Sequence, residues 1–102
     1  MLAFSRFRVP EADLDAFTPD AEAAAAFFAG RPGCRSADLV RNLDEPDLWA
    51  LLTTWENVGS YRRAFNGYDA KMILMPLLNR ALDEPSAYAD ADEVGVNLPR
   101  DR

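Results

Sequence analysis

Trp55 and Tyr61 stand six positions apart in the stretch TTWENVGSYRRAF, residues 53–65, across what reads as the junction of a strand and a helix. If both rings border a hollow, an indole N–H and a phenol O–H become available to a ligand. If they do not, they plug a small core, which is the usual fate of aromatics at this spacing. The familiar chemical groups are missing around them. The chain has no histidine, which removes the commonest metal and haem ligand and most general-base schemes. Its one cysteine, Cys34, has no histidine or second cysteine to activate it and is expected to be a buried small hydrophobe. No Gly-rich phosphate loop or dinucleotide fingerprint appears, so no cofactor and no metal are expected.

The chain of 102 residues allows one compact domain, since a second core would need roughly 50 more residues. Apolar residues make up 49% of it, enough for a packed interior. Seventeen acids against 11 bases give a formal charge of −6, and the bases are scattered, which argues against nucleic acid and against an anionic membrane surface. No segment approaches the roughly 18 apolar residues of a membrane span, and Arg6 and Arg8 interrupt any leader-like run. With no possible internal disulfide, the cytoplasm is the expected compartment.

The elements that must position Trp55 and Tyr61 can be read from periodicity. Residues 2–9 form a first strand that Pro10 ends. Between Glu11 and Ala29, Leu14, Phe17, Ala21, Ala24, Ala25 and Phe28 recur at helical spacing; Thr18 is expected to cap the helix with Pro19 at its first position, residues 11–17 being a lead-in. GRPG, residues 30–33, stops it. Residues 34–42 and 48–55 flank the turn-rich LDEPD and predict an antiparallel hairpin. Ser60 is expected to cap a second helical region carrying Tyr61, Ala64, Phe65 and Tyr68, with Arg62 and Arg63 pointing away; Gly67 breaks it and Pro76 opens a further turn. Residues 86–90 are a short strand. Residues 1–90 thus form the domain, and 91–102 a tail, loose or laid on a partner.

Strand, helix, strand, strand, helix, strand is the split βαβ order, an α+β ferredoxin-like fold with a four-stranded antiparallel sheet. In residues 48–55, Trp49, Leu51, Thr53 and Trp55 share one face, and Leu48, Ala50, Leu52 and Thr54 the other. Both faces are largely apolar, yet one helical layer covers only one, so a homodimer is expected.

Five stretches in this order, RFRVP, RPGCRSADLVRN, DEPDLWALLTTWE, SYRRAF and DEPSAY, resemble the antibiotic biosynthesis monooxygenase family over roughly residues 2–90. The resemblance implies a dimeric α+β barrel. Its quinone-forming branch carries a pocket Trp at the end of the third strand and a Tyr six residues later, which Trp55 and Tyr61 match. That branch also has an Asn four residues before the Trp, where this chain has Leu51. The axial histidine of the haem-degrading branch would fall at Phe65, so haem is set aside. The implied activity is cofactor-independent oxygenation of an aromatic or polyketide-like molecule, with Trp55 and Tyr61 as catalytic residues. Tyr68, Phe28, Phe65 and Met72 would wall the pocket, and Arg6 or Asn42 would add donors if turned inward. A charge among apolar neighbours is expensive unless paired, so for Arg6 a structural acid, Asp38 or one near the C-terminus, is favoured over a substrate.

Two other readings stand beside this one. Leu51 and the absence of histidine suit a non-catalytic small-molecule-binding or accessory protein. A cyclase or isomerase would keep the pocket and use Tyr61 or a carboxylate for proton transfer.

Overall fold

The computed structural model describes residues 1–97. Strand β1 (Leu2–Arg8) leads through a 3-10 turn (Glu11–Asp13) into α1 (Leu14–Ala29). Strands β2 (Cys34–Arg41) and β3 (Leu48–Trp55) form the hairpin; α2 (Val58–Arg63), α3 (Tyr68–Leu78), β4 (Ala87–Tyr88) and α4 (Ala91–Asn97) follow. The sheet order is β2-β3-β1-β4 with every neighbouring pair antiparallel, the ferredoxin-like arrangement that the element order predicts.

Alternation along the strands decides which side chains meet the helices. On the inner face β1 presents Ala3 and Phe7 and β3 presents Leu51, Thr53 and Trp55, all buried. Against them α1 turns Phe17, Ala21, Ala24 and Phe28, and α3 turns Ala70, Leu74 and Leu77, each set at spacings of three and four. The alanines let the two helices lie close. Phe17 is wedged between Phe7 and Trp49, with ring centroids 5.4 and 5.6 Å apart, so Trp49 is a packing residue of this end of the core.

Three local expectations are corrected. Pro19 lies inside α1, because the 3-10 turn begins the helical path earlier, with the Asp13 N–H donating to the Pro10 carbonyl at 2.8 Å. Pro76 likewise lies inside α3 and opens nothing. Each proline deprives the carbonyl four residues back of its donor, but Asp15, Pro19, Met72 and Pro76 are all exposed, so water can take the vacant acceptor. The cap of α2 is Asn57, whose side chain accepts from the Ser60 N–H at 2.8 Å; Ser60 itself is buried one turn in. Gly67, at φ 100°, is the break between α2 and α3. The tail begins as a helix, α4, and the part of it beyond residue 97 lies outside the described residues.

The outer face of the sheet carries Leu2, Phe4, Val40, Leu48, Ala50 and Leu52, and no helix covers it among the described residues. Leu2, Phe4 and Val40 keep 36–40% of their surface exposed.

Candidate functional site

Between the inner face and the helices lies a hollow of about 180 Å³. Its floor is set by strand register: Ser5 lies opposite Leu51 and Ala3 opposite Thr53, all pointing inward. Phe28 from the last turn of α1 and Tyr61 from α2 form walls with Phe65, just beyond α2. Leu78, Ala81 and Ser86 close the remaining side. The described lining residues are apolar and aromatic apart from the hydroxyls of Ser5, Thr53, Tyr61 and Ser86, and none of them is a carboxylate or an amine.

The aromatic residues form a closed cluster. Phe28 meets Trp55 at 5.7 Å and Phe65 at 5.7 Å, and Tyr61 meets Trp55 at 5.8 Å and Phe65 at 5.1 Å, all edge-on. Such edge-to-face contacts add about 0.5–1.5 kcal/mol each beyond area burial, which favours this arrangement of the rings. Trp55 stands behind the wall rather than in the lining: it is 2% exposed, and its Nε1–H donates to Thr53 Oγ1 at 2.9 Å. Its one polar group is therefore already used, and it is Thr53 that reaches the hollow.

Tyr61 is held where the sequence predicts, facing the sheet. The Asn57 cap starts α2, and the neighbouring turn locks it from below: Gly33 has φ 86°, and a Cβ there would land on the Ser60 side chain. Burial pushes the Tyr61 phenol above the ordinary tyrosine range, against a smaller opposing effect of Arg62, so near neutral pH it is a donor and not a base. Arg62 and Arg63 are exposed on the far side of α2, as expected.

Other predicted site residues lie elsewhere. Tyr68 and Met72 are 75% and 57% exposed on the solvent side of α3, one turn apart, because Ala70 and Leu74 take the inward positions. Arg6 and Asn42 line a separate, more open hollow of about 320 Å³ on the outer face of the sheet. Arg6 alternates with Phe7 and so points outward, where Nε and Nη2 donate to the two Glu84 carboxylate oxygens at 2.7 and 2.8 Å. Its partner is thus the C-terminal acid and not Asp38. The Asn42 carbonyl oxygen accepts from the Asp44 and Glu45 backbone N–H groups and shapes the hairpin loop. Cys34 is half-buried, and burial raises its thiol above the usual range, as fits a packing role. Among the described residues no cluster of three or more His, Cys, Asp or Glu side chains could hold a metal ion. No helix there is long and apolar enough to cross a membrane.

Sequence reasoning missed Ala3, Ser5, Thr53, Leu78, Ala81 and Ser86 as lining residues. A signal existed for Ser5 and Thr53, each a lone hydroxyl on an otherwise apolar strand face. For Ser86 there was none, since its position depends on the ladder extended by the Phe4 N–H donating to its carbonyl at 2.6 Å.

A four-stranded ferredoxin-like sheet with a small aromatic hollow under its helices defines the general class. Within it, the antibiotic biosynthesis monooxygenase family model matches residues 2–71, and the chain belongs to that family. Solved structures agree on the fold. A conserved protein from Methanosarcina mazei is 20% identical, with a TM-score of 0.69 over 84% of each chain. Rv0793 from Mycobacterium tuberculosis is 19% identical, with a TM-score of 0.66 over 84% of this chain and 86% of that one. A mutant of SnoaB, a cofactor-independent oxygenase from Streptomyces nogalater, is 25% identical, with a TM-score of 0.67 over 79% of this chain and 82% of that one. None of the curated proteins matches the chain in sequence.

Proposed function

We propose that this protein is a cofactor-independent monooxygenase that oxidises a small hydroxylated aromatic molecule in the hollow beneath Phe28, Tyr61 and Phe65. The observation that carries this reading is the lining itself: an interlocked aromatic wall, with neutral hydroxyls as the polar side-chain groups of the described lining residues. Family membership and the likeness to SnoaB support it. In such a reaction the substrate loses a proton, its anion passes an electron to dioxygen, and a C–O bond forms. One oxygen atom stays on the ring as a carbonyl; the other leaves as water with two hydrogens from the substrate. With no carboxylate, amine or imidazole among the described lining residues, the proton goes to water at the mouth of the hollow. The pocket's part is to hold the anion with hydroxyl donors in a dry surrounding, where they act more strongly than in water.

Size narrows the substrate. A cavity of about 150 Å³ is known to accept benzene, so about 180 Å³ suits one ring or two fused rings, and a larger polycycle has to leave part of itself outside. The test is oxygen uptake with one- and two-ring hydroxyarenes, without added metal or flavin. Tyr61→Phe is expected to slow turnover about tenfold or more. Uptake unchanged in Tyr61→Phe, with the fold intact, refutes the site.

A non-catalytic binding protein is the second reading, favoured by Leu51 on the floor where the quinone-forming branch has an amide. Ligand binding without oxygen uptake across the same compounds would establish it. A cyclase or isomerase has less support, because no carboxylate among the described residues lines the hollow.

A second copy of the chain is proposed to cover the outer face. Leu2, Phe4, Val40 and Leu52 form its apolar strip; of the charges on this face, Arg6 is paired with Glu84 and Arg8 with Glu45 and Asp47, while Asp38, opposite Leu52, is exposed with no ion-pair partner among the described residues. Two such faces can approach with both arginines already paired, provided that Asp38 stays at the solvated rim or meets a cation of the other copy.

A further inference from the structure

The hydrogen-bond inventory of Thr53 points to a specific role in the pocket. A threonine hydroxyl has one proton to give and can accept two. The indole N–H of Trp55 occupies an acceptor position, at 2.9 Å, and the Thr53 proton has no acceptor among the described residues. Thr53 is 2% exposed, yet it lines the hollow, so its proton has only the hollow's contents to serve. Bound neighbours also fix its direction. Donation from Trp55 polarises the Thr53 O–H and makes it a better donor than an isolated hydroxyl.

We propose that Thr53 is the specificity-determining donor of this pocket, selecting a ring that carries an acceptor oxygen over a bare arene, and that Trp55 acts only through it, as a positioning residue. This rests on the pocket reading above but not on oxygenation. Leu51, Ser5 and Ala3 surround Thr53 on the floor, so the oxygen it holds is seated against the sheet and the ring stands against Phe28 and Phe65. The burial of Trp55 away from the lining follows from the same arrangement: its work is done one hydrogen bond behind the ligand.

Phenol and toluene, equal in shape and differing in one acceptor and donor, are the probes. Their affinities are measured by NMR titration of wild type, Thr53→Val, Thr53→Ser and Trp55→Phe, following the Trp55 indole N–H and Tyr61 ring signals. The ratio of phenol to toluene affinity should fall about tenfold in Thr53→Val, be retained in Thr53→Ser, and fall by a smaller factor in Trp55→Phe. An unchanged ratio in Thr53→Val overturns the proposal while leaving the pocket intact. If wild type binds neither probe, the pocket reading fails and this proposal with it. Should Thr53→Val not fold, the wild-type indole N–H decides: phenol must shift it well beyond toluene, and equal shifts overturn the proposal.

Discussion

Gly33→Ala is expected to be among the most damaging single-methyl changes in the chain, and to act on Tyr61 from outside the pocket. Two costs arise at once. At φ 86° an L side chain is strained by about 1–2 kcal/mol. The added methyl also collides with the Cβ and Oγ of Ser60, a short side chain fixed to the first turn of α2, so no rotamer change clears it. To restore an ordinary carbon–carbon separation of about 3.5–4.0 Å, α2 has to retreat by about 1 Å or more. Overpacking of this kind typically costs a further 1–3 kcal/mol, for a total of about 2–5 kcal/mol. The retreat carries Tyr61, with Phe65 just past the end of the same helix, away from the Trp55 and Phe28 rings, and a displacement of about 1 Å can cost on the order of 100-fold in a positioned reaction. Denaturant unfolding measures the stability loss. The Ser60→Gly background separates the two costs, because removing Cβ and Oγ should recover the collision part and leave the strain. A Gly33→Ala protein within about 0.5 kcal/mol of wild type, or one that Ser60→Gly does not rescue at all, refutes this account.

Other expectations concern pH and assembly. The Arg6 guanidinium, hydrogen-bonded to Glu84, holds that carboxyl below the usual range, so the pair contributes stability above the ordinary carboxylate pKa and loses it as pH falls through the depressed value. Acid unfolding curves of wild type and Glu84→Gln should therefore converge at low pH, and curves that stay parallel would contradict the pairing. Burial raises the Tyr61 phenol, so its stabilising contribution is complete below the ordinary value of 10.0 and is lost as pH climbs beyond it. Tyr61→Phe should accordingly lose less stability than wild type across that alkaline window. Light scattering should report twice the subunit mass for wild type and the single mass for Phe4→Lys; a wild-type monomer at low micromolar concentration removes the proposed partner.

What could be read from the sequence was whatever depended on local periodicity. Strand alternation in residues 48–55 put Leu51, Thr53 and Trp55 on the inner face, and helical spacing put Phe28, Tyr61 and Phe65 there too. Tyr68 and Met72 were misjudged because α3 begins anew after Gly67, and its phase relative to the sheet is set by Ala70 and Leu74, not by continuation from Tyr61. Arg6 and Asn42 depended on the direction of a single side chain. In Arg6 the alternation with Phe7 decides it, and in Asn42 the geometry of a loop does. The helical prolines show a further limit of reading punctuation: Pro19 and Pro76 look like boundaries in the sequence, but on an exposed flank a missing N–H breaks nothing.

Leu52 and Thr53 are consecutive links of one strand, and they look in opposite directions. The first belongs to the bare surface that would meet another subunit; the second bears on whatever occupies the hollow. A single peptide plane thus serves as a shared wall between two compartments. If a second copy does cover the outer surface, a shift of that wall would reach the hydroxyl on its other side, and substitutions at Leu52 should then be checked for their effect on ligand choice as well as on assembly.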